Sequence, residues 1–279
     1  MVSPSRPRGN SSNNSLRRRA SANAEAPAAP AAPTATMRRS ASGRALFDDR
    51  IHAGRQLANN LREHAEADVV VLSVSRGGAI VGSVIAESLG HSIPHLYYIV
   101  RPIPCPSIPR LSLGSVAGDG SVRIDNVVAK SMGIVCDDAT HNVQATELMR
   151  MVEDMDLQLR AEQESFWQPA PSAQDLEGKT LLVVDDGMEA GDTMREAIMH
   201  LRHCYEASRI IVAVPFCMAD LRRQLQRHVE SVVDIVSPLF VGSIARWYAR
   251  GVSASVAEQR LLNRLFVDSA TTISSFDYD

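Results

Sequence analysis

Paired cysteines are missing from this sequence. Its four, Cys105, Cys136, Cys204 and Cys217, are scattered with no CxxC among them, so neither a zinc site nor a disulfide framework is indicated, and a reducing compartment is expected. The eight His also lack ligand spacing; His200 and His203 stand i, i+3 in a helical stretch with no evident further ligand and read as surface residues. No apolar run approaches the ~20 residues of a membrane-crossing helix. No GxSxG is present, which removes the nucleophile of an α/β-hydrolase. No GxGxxG follows the first expected strand, because SRGGAIVG does not supply it, and a dinucleotide-binding reading falls with it. Gly178-Lys179-Thr180 looks like the end of a Walker A motif, but Ala173 stands where the first glycine is needed and the segment precedes its strand.

At 279 residues the chain can hold one large α/β domain or two small ones. Its basic residues are unevenly spread. Met1–Arg44 holds eight Arg and a single acid, Glu25, among Ser, Asn, Ala and Pro, which leaves 21 basic and 31 acidic residues for Ala45–Asp279. Residues 1–44 are therefore expected to be a disordered basic tail, and residues 45–279 the folded domain. The tail has no apolar h-region of the kind a secretory signal needs. An intracellular, cytoplasmic location is the default expectation. Mitochondrial or plastid targeting by an Arg- and Ser-rich, acid-poor transit peptide is the alternative. The tail has no aromatic interleaving, so no nucleic-acid partner is expected, and no membrane partner either.

What the chain does contain centres on Leu181–Arg195, LLVVDDGMEAGDTMR. Leu181–Val184 is a short apolar run of the length and β-branched content of a buried parallel strand. Asp185 and Asp186 follow at once, then a glycine-punctuated turn from Gly187 to Gly191. A helix opens near Asp192 or Thr193, where Thr193 and Glu196 have the spacing of a capping box. Met194, Ala197, Ile198 and Leu201 repeat at helical spacing and give that helix an apolar face. A strand, a tight loop and a helix start leave backbone N–H groups aimed at one spot, which suits a phosphate. Two acids just upstream repel phosphate but suit hydroxyls or a metal. A sugar phosphate satisfies both.

The same design occurs earlier. Val69–Val74 is a buried strand, followed by Ser75-Arg76-Gly77-Gly78 and a helix from about Ala79 to Ser88 closed by Gly90. Arg76 adds a fixed positive fork beside the free N–H groups, so this turn suits a second, more highly charged anion. A helix over Asp48–His64 precedes it, with Ile51, Leu57, Ala58 and Leu61 on one side. His95–Val100 is a third strand ending in Arg101. Pro102–Arg110 has four prolines and is expected to be a stiffened loop. Leu111–Ala117 and Ser121–Ile124 flank Gly118-Asp119-Gly120 as a hairpin. Asp138–Glu164 is a long amphipathic helix, and Pro169–Gly178 connects to the central strand. Arg209–Pro215 and Val232–Val236 are strands with a helix over Met218–Val229 between them. Strand-helix alternation of this kind implies a parallel, doubly wound α/β sheet of about five strands, with ligand at the carboxyl ends. The hairpin and long helix form a small insertion, and Leu239–Asp279 is a C-terminal extension.

VVDDGMEAGDTM resembles the ribose-phosphate motif of type I phosphoribosyltransferases, whose usual form is near VDDGIATGATM. FDDRIHAGRQLANNL and VVVLSVSRGGAIVGSVIAESLG resemble that family's opening helix and its pyrophosphate loop, where the strand ends in PRGG. Arg101, Pro106, Pro109, Leu111, Gly114 and Val116 match its pattern near VRKIGAPGNPELAIGAV, and Arg246-Trp247-Tyr248 resembles its C-terminal GQWY. The resemblance implies a pentosyltransferase. Its substrates are 5-phosphoribosyl pyrophosphate (PRPP) carried with Mg²⁺ and an unidentified nitrogen base. Asp185, Asp186 and Glu189 would be the catalytic residues, with the paired aspartates on the ribose hydroxyls and Glu189 taking a proton from the base. Glu189, Ala190, Gly191, Asp192 and Thr193 would hold the 5′-phosphate. Ser75, Arg76, Gly77, Gly78 and Arg101 would hold pyrophosphate, and Trp247 and Tyr248 are candidates for covering the base. No protein ligand to the metal is assigned, and a homodimer is one of the assembly states left open.

The sequence departs from that pattern at several places. Ser75 replaces the usual Pro, and Pro102 the usual Lys after Arg101. Ala190 replaces a Thr whose hydroxyl would donate to phosphate, a loss of about 0.5–1.5 kcal/mol. Asp192 puts a carboxylate at a helix start, where it favours the helix dipole but repels a phosphate unless it turns outward. A regulatory or ligand-binding protein of the same fold without catalytic activity is the alternative these changes favour.

Overall fold

The computed structural model describes residues 45–64, 68–90, 92–134, 143–166, 169–251 and 253–266. The basic tail, Cys136, the first residues of the expected long helix and the last thirteen residues lie outside these. Among the described residues no helix is long and apolar enough to cross a membrane.

Helix α1 (Arg50–Asn60) is capped by Asp49, whose carboxylate accepts the His52 N–H, and ends in a 3-10 turn, Arg62–His64. Strand β1 (Val69–Ser73) leads into α2 (Arg76–Leu89). Then follow β2 (His95–Tyr97), β3 (Val100–Pro104), β4 (Ser112–Ala117), β5 (Val122–Ile124), α3 (Asn126–Ser131) and α4 (Val143–Glu164). The second half runs α5 (Ala173–Leu176), β6 (Thr180–Val184), α6 (Asp192–Cys204), β7 (Arg209–Phe216), α7 (Ala219–Leu225), β8 (Ser231–Val236) and α8 (Val256–Leu265), with a 3-10 turn at Ile244–Trp247.

Five strands form one parallel sheet in the order β2-β1-β6-β7-β8. Because side chains alternate along a strand, each central strand supplies two cores. Val70, Leu72, Leu181, Val183, Val212 and Val214 pack with Met194, Ala197, Ile198 and Leu201 of α6 and with α7. Val69, Val71, Leu182, Val184, Ile211 and Ala213 pack with α1 and α2 on the other face. This two-sided burial is why these strands read as unbroken apolar runs. The strand order reverses between β1 and β6, and Ser73 pairs with Val184. Both strands thus end at the same level, beside the crevice where open α/β sheets bind ligands.

The expected third strand is two strands in two sheets. β2 stays in the parallel sheet, Tyr98 and Ile99 leave it, and β3 starts an antiparallel sheet ordered β3-β4-β5. Pro102 and Pro104, expected in a loop, lie within β3. β3 is an edge strand whose pairing with β4 shifts register between these prolines, and an edge tolerates residues without an N–H. The hairpin over β4 and β5 forms as the Gly-Asp-Gly turn suggests. The small sheet buries Ile103, Leu113 and Val116 against Leu148 and Leu159 of α4 and Leu261 and Leu262 of α8.

Two local expectations are corrected. α6 is capped by Gly191 at φ 77°, with no side-chain cap, and its buried Glu196 pairs with Arg123 of β5; Thr193 and Glu196 do not form a capping box. His200 is fully buried, between Ser115 Oγ on Nδ1 (2.9 Å) and Ser121 Oγ on Nε2 (2.8 Å). It ties α6 to the hairpin, and burial holds its pKa down at about 4. His203 is exposed, as expected.

Candidate functional site

The turn after β1 is tighter than its glycines suggest. α2 begins at Arg76, three residues earlier than expected, and Ser75 is its N-cap: Ser75 Oγ accepts the Gly78 N–H at 2.8 Å. The same hydroxyl donates to Asp185 Oδ1. Serine in place of the usual proline therefore links the two loops directly. Its φ of −146° is one that proline, fixed near −65°, does not adopt. Replacing Ser75 with alanine is expected to cost about 1–2 kcal/mol in denaturant unfolding, from the lost cap and the lost bond to a part-buried carboxylate.

The paired aspartates face different partners. Asp185 is part-buried, and its Oδ1 also accepts the Asp186 N–H at 2.8 Å. Burial, and then the adjacent Asp186 charge, raise its pKa to about 7. Asp186 is 3% exposed. Its Oδ2 accepts from Arg50 Nε at 2.6 Å, and Tyr248 O–H donates to its backbone carbonyl. Arg50 is itself buried: its backbone N–H donates to Glu258 Oε1 at 2.8 Å, its Nη1 lies 3.6 Å from the same oxygen, and its guanidinium sits 4.5 Å over the Tyr248 ring. Glu258 completes a capping box with Ser255 at the start of α8. A cation, two carboxylates and a tyrosine from four segments thus meet around Asp186. Asp186 also explains Gly77, where a Cβ would come within 2.2 Å of Asp186 Oδ2.

Beyond Gly187 the chain pairs with the end of β7 through Met188 N–H to Phe216 O at 3.0 Å. The loop then turns out, leaving Glu189 and Ala190 exposed, and Gly191 enters α6 in the left-handed conformation. A Cβ on Gly191 would also meet Leu221 at 2.6 Å. With no side chain capping α6, the leading N–H groups of its first turn keep the anion-binding capacity of an open helix start. Asp192 is turned outward to Arg195, with Arg195 Nη2 at 2.8 Å from its Oδ1 and about half of the Asp192 side chain exposed.

The description "Phosphoribosyl transferase domain" matches residues 119–248, from the β4–β5 turn through Tyr248. Residues 119–248 carry a phosphoribosyl transferase domain. Two curated relatives from Mycobacterium tuberculosis, "Putative phosphoribosyl transferase MT0597" of strain CDC 1551 / Oshkosh and "Putative phosphoribosyl transferase Rv0571c" of strain ATCC 25618 / H37Rv, are each 33% identical over 205 residues. The aligned region is 73% of this chain and 43% of each relative, so the chain spans under half the length of those proteins. The crystal structure of TT1426 from Thermus thermophilus shares the fold, with a TM-score of 0.61 at 23% identity, covering 78% of this chain and 97% of that one.

Within the phosphoribosyl transferase domain and the β1–α2 unit beside it, most sequence-expected site residues come together. Ser75, Gly77 and Gly78 lie against Asp185 and Asp186, with the loop Glu189–Thr193 following on β6. Arg76 and Arg101 are both directed at Glu162 of α4. Trp247 and Tyr248 pack inward: Trp247 stacks on Phe216 at 4.7 Å and donates to Val241 O at 3.0 Å, while Tyr248 is buried among Phe47, Phe216 and Arg50. They serve as a small core under the dyad. Sequence reading missed Arg50, Glu258 and Glu162, three charged residues in amphipathic helices. The one available signal was Arg50 standing at the start of a helix, where a cation is unfavourable to the dipole.

Proposed function

We propose that this domain binds PRPP with Mg²⁺ and transfers its phosphoribosyl group to a nitrogen base, releasing pyrophosphate. The observation that carries this reading is the arrangement at the switch point: β1 and β6 end side by side, each hands over to a helix start, and a carboxylate dyad lies between. One helix start, uncapped by any side chain and preceded by an exposed loop tip, suits a phosphate monoester; the other, with arginines near it, suits a diphosphate. The oxygen donors at the crevice, the Asp185 carboxylate and the Ser75 hydroxyl, suit Mg²⁺ carried on a polyphosphate.

In the reaction the C1–O bond to pyrophosphate breaks and a C1–N bond forms, through a transition state with positive charge on the sugar. Preorganised N–H groups of the Ser75–Gly78 turn not already used by the Ser75 cap would take up the charge of the leaving pyrophosphate. Asp185 would accept the sugar hydroxyls, while Asp186, turned to Arg50, would hold Asp185 in place. Glu189, exposed at the loop tip, would take the proton released by the base. The 5′-phosphate would sit on the first turn of α6.

Asp192 does not oppose this, because its carboxylate points to Arg195. Asp192→Ala is accordingly expected to change PRPP affinity by no more than about twofold, within the ±0.5 kcal/mol usual for surface substitutions. Titration calorimetry would show a clear gain if the carboxylate instead faced the phosphate. The reading itself is tested by calorimetry with Mg²⁺ and PRPP. Saturable heat is expected, and no heat at millimolar ligand would contradict it. Binding without turnover of any base would assign the domain to regulation or ligand binding.

A further inference from the structure

Glu162 lies in the last turn of α4, in the segment inserted between β5 and β6. Three donors converge on its carboxylate. Tyr97 O–H donates to Oε1 at 2.8 Å, Arg101 Nη2 donates to Oε2 at 3.1 Å, and Arg76 Nε lies 3.8 Å from Oε1. Arg76 and Arg101 are the two cations expected to grip pyrophosphate. Each reaches Glu162 from a different part of the fold: Arg76 from the first turn of α2, Arg101 from β3.

We propose that Glu162 is an internal competitor for the pyrophosphate subsite, holding the two arginines in the free protein and yielding them when the diphosphate arrives. This rests on the functional reading above, whose regulation it specifies. The geometry favours exchange by side-chain rotation. α4 itself is fastened by the next residue: Gln163 Nε2 donates to Tyr97 O at 2.6 Å, and Gln163 Oε1 accepts the Ile99 N–H at 3.3 Å. The Glu162 side chain is 21% exposed, and those of Arg76 and Arg101 are 26% and 48% exposed, so solvent-borne anions reach all three. The charges also favour exchange. One carboxylate cannot neutralise two guanidiniums, and a diphosphate offers more charge and more acceptor oxygens than it removes. Ser165 accepts from Arg76 Nη2 at 3.2 Å, and the Phe266 ring lies 4.3 Å under the same guanidinium. These contacts keep Arg76 in place when Glu162 leaves. Burial, then the Glu162 charge, hold the Tyr97 hydroxyl well above its ordinary pKa, so it stays a donor.

The test is calorimetric titration of the full chain with inorganic pyrophosphate and with PRPP–Mg²⁺, comparing wild type, Glu162→Gln and Tyr97→Phe. Glu162→Gln keeps the shape and removes the charge; pyrophosphate is expected to bind about fivefold tighter, the scale of a partly exposed ion pair. Tyr97→Phe leaves the charge but frees one side of the carboxylate, and a smaller gain of about twofold is expected. Unchanged or weaker pyrophosphate binding by Glu162→Gln, with wild type binding PRPP–Mg²⁺, would overturn the competitor role alone and make Glu162 a positioning residue or a bystander. Absence of binding to any of the three proteins, with thermal unfolding showing them folded, would overturn the functional reading and this inference with it.

Discussion

Replacing Arg50 with leucine is expected to lower the unfolding free energy by about 3–5 kcal/mol, with a melting temperature about 6–20 °C lower for a domain of this size. Arg50 and the two carboxylates it meets, Asp186 and Glu258, are almost fully buried. Taking charges out of water is costly, and their attraction repays this only while the geometry holds. Removing the cation deprives two buried acids, Asp186 and Glu258, of the charge they share. Buried carboxylates that lose their ion partner cost stability. Glu258→Gln should be far milder, because glutamine still completes the capping box with Ser255 and Arg50 keeps Asp186. Equal losses for Arg50→Leu and Glu258→Gln in denaturant unfolding would show that the cap, not the ion cluster, carries the energy. This refines the expectation that Asp186 acts only on substrate: Asp186→Asn should also lose stability, since it breaks the same cluster.

The second large effect is one of pH. The Asp185 carboxyl titrates near 7 in the folded protein and near 3.8 in a free chain, so the folded state binds its proton more tightly. The resulting stabilisation is complete below the unfolded value and is lost as pH rises through the folded one. Stability should fall between about pH 4 and pH 7 and level off above. His95 and His200 act in the opposite sense over about pH 4–6.5, because burial lowers both to about 4. The informative quantity is therefore the difference between wild type and Asp185→Asn, measured by urea unfolding at each pH. A difference that stays flat from pH 4 to 8 would mean that Asp185 ionises as an ordinary surface carboxylate.

The central features were legible because they are local. Apolar runs ending in Ser75-Arg76-Gly77-Gly78 and Asp185-Asp186-Gly187 announce strand ends and helix starts without reference to the rest of the chain. The partners of those residues were not legible. Arg50 is 136 positions from Asp186, and nothing in the period of α1 marks one of its polar residues as buried. The same limit explains His200, whose helical position reads as polar until the hairpin supplies Ser115 and Ser121. Thr193 and Glu196 had the spacing of a capping box, but tertiary pairing of Glu196 with Arg123 took precedence over the local bond. β3 was hidden because prolines argue against a central strand, and the sequence does not say which strand will lie at an edge.

One ligand is expected to span the two helix starts. A crystal structure with PRPP–Mg²⁺ bound tests this most directly. It should show the 5′-phosphate on the backbone of Glu189–Thr193, the pyrophosphate at Ser75–Gly78, and the sugar hydroxyls at Asp185. Ligand absent from both turns at saturating concentration, or held at one turn with Asp185 still bound only to Ser75 and the Asp186 N–H, would contradict it.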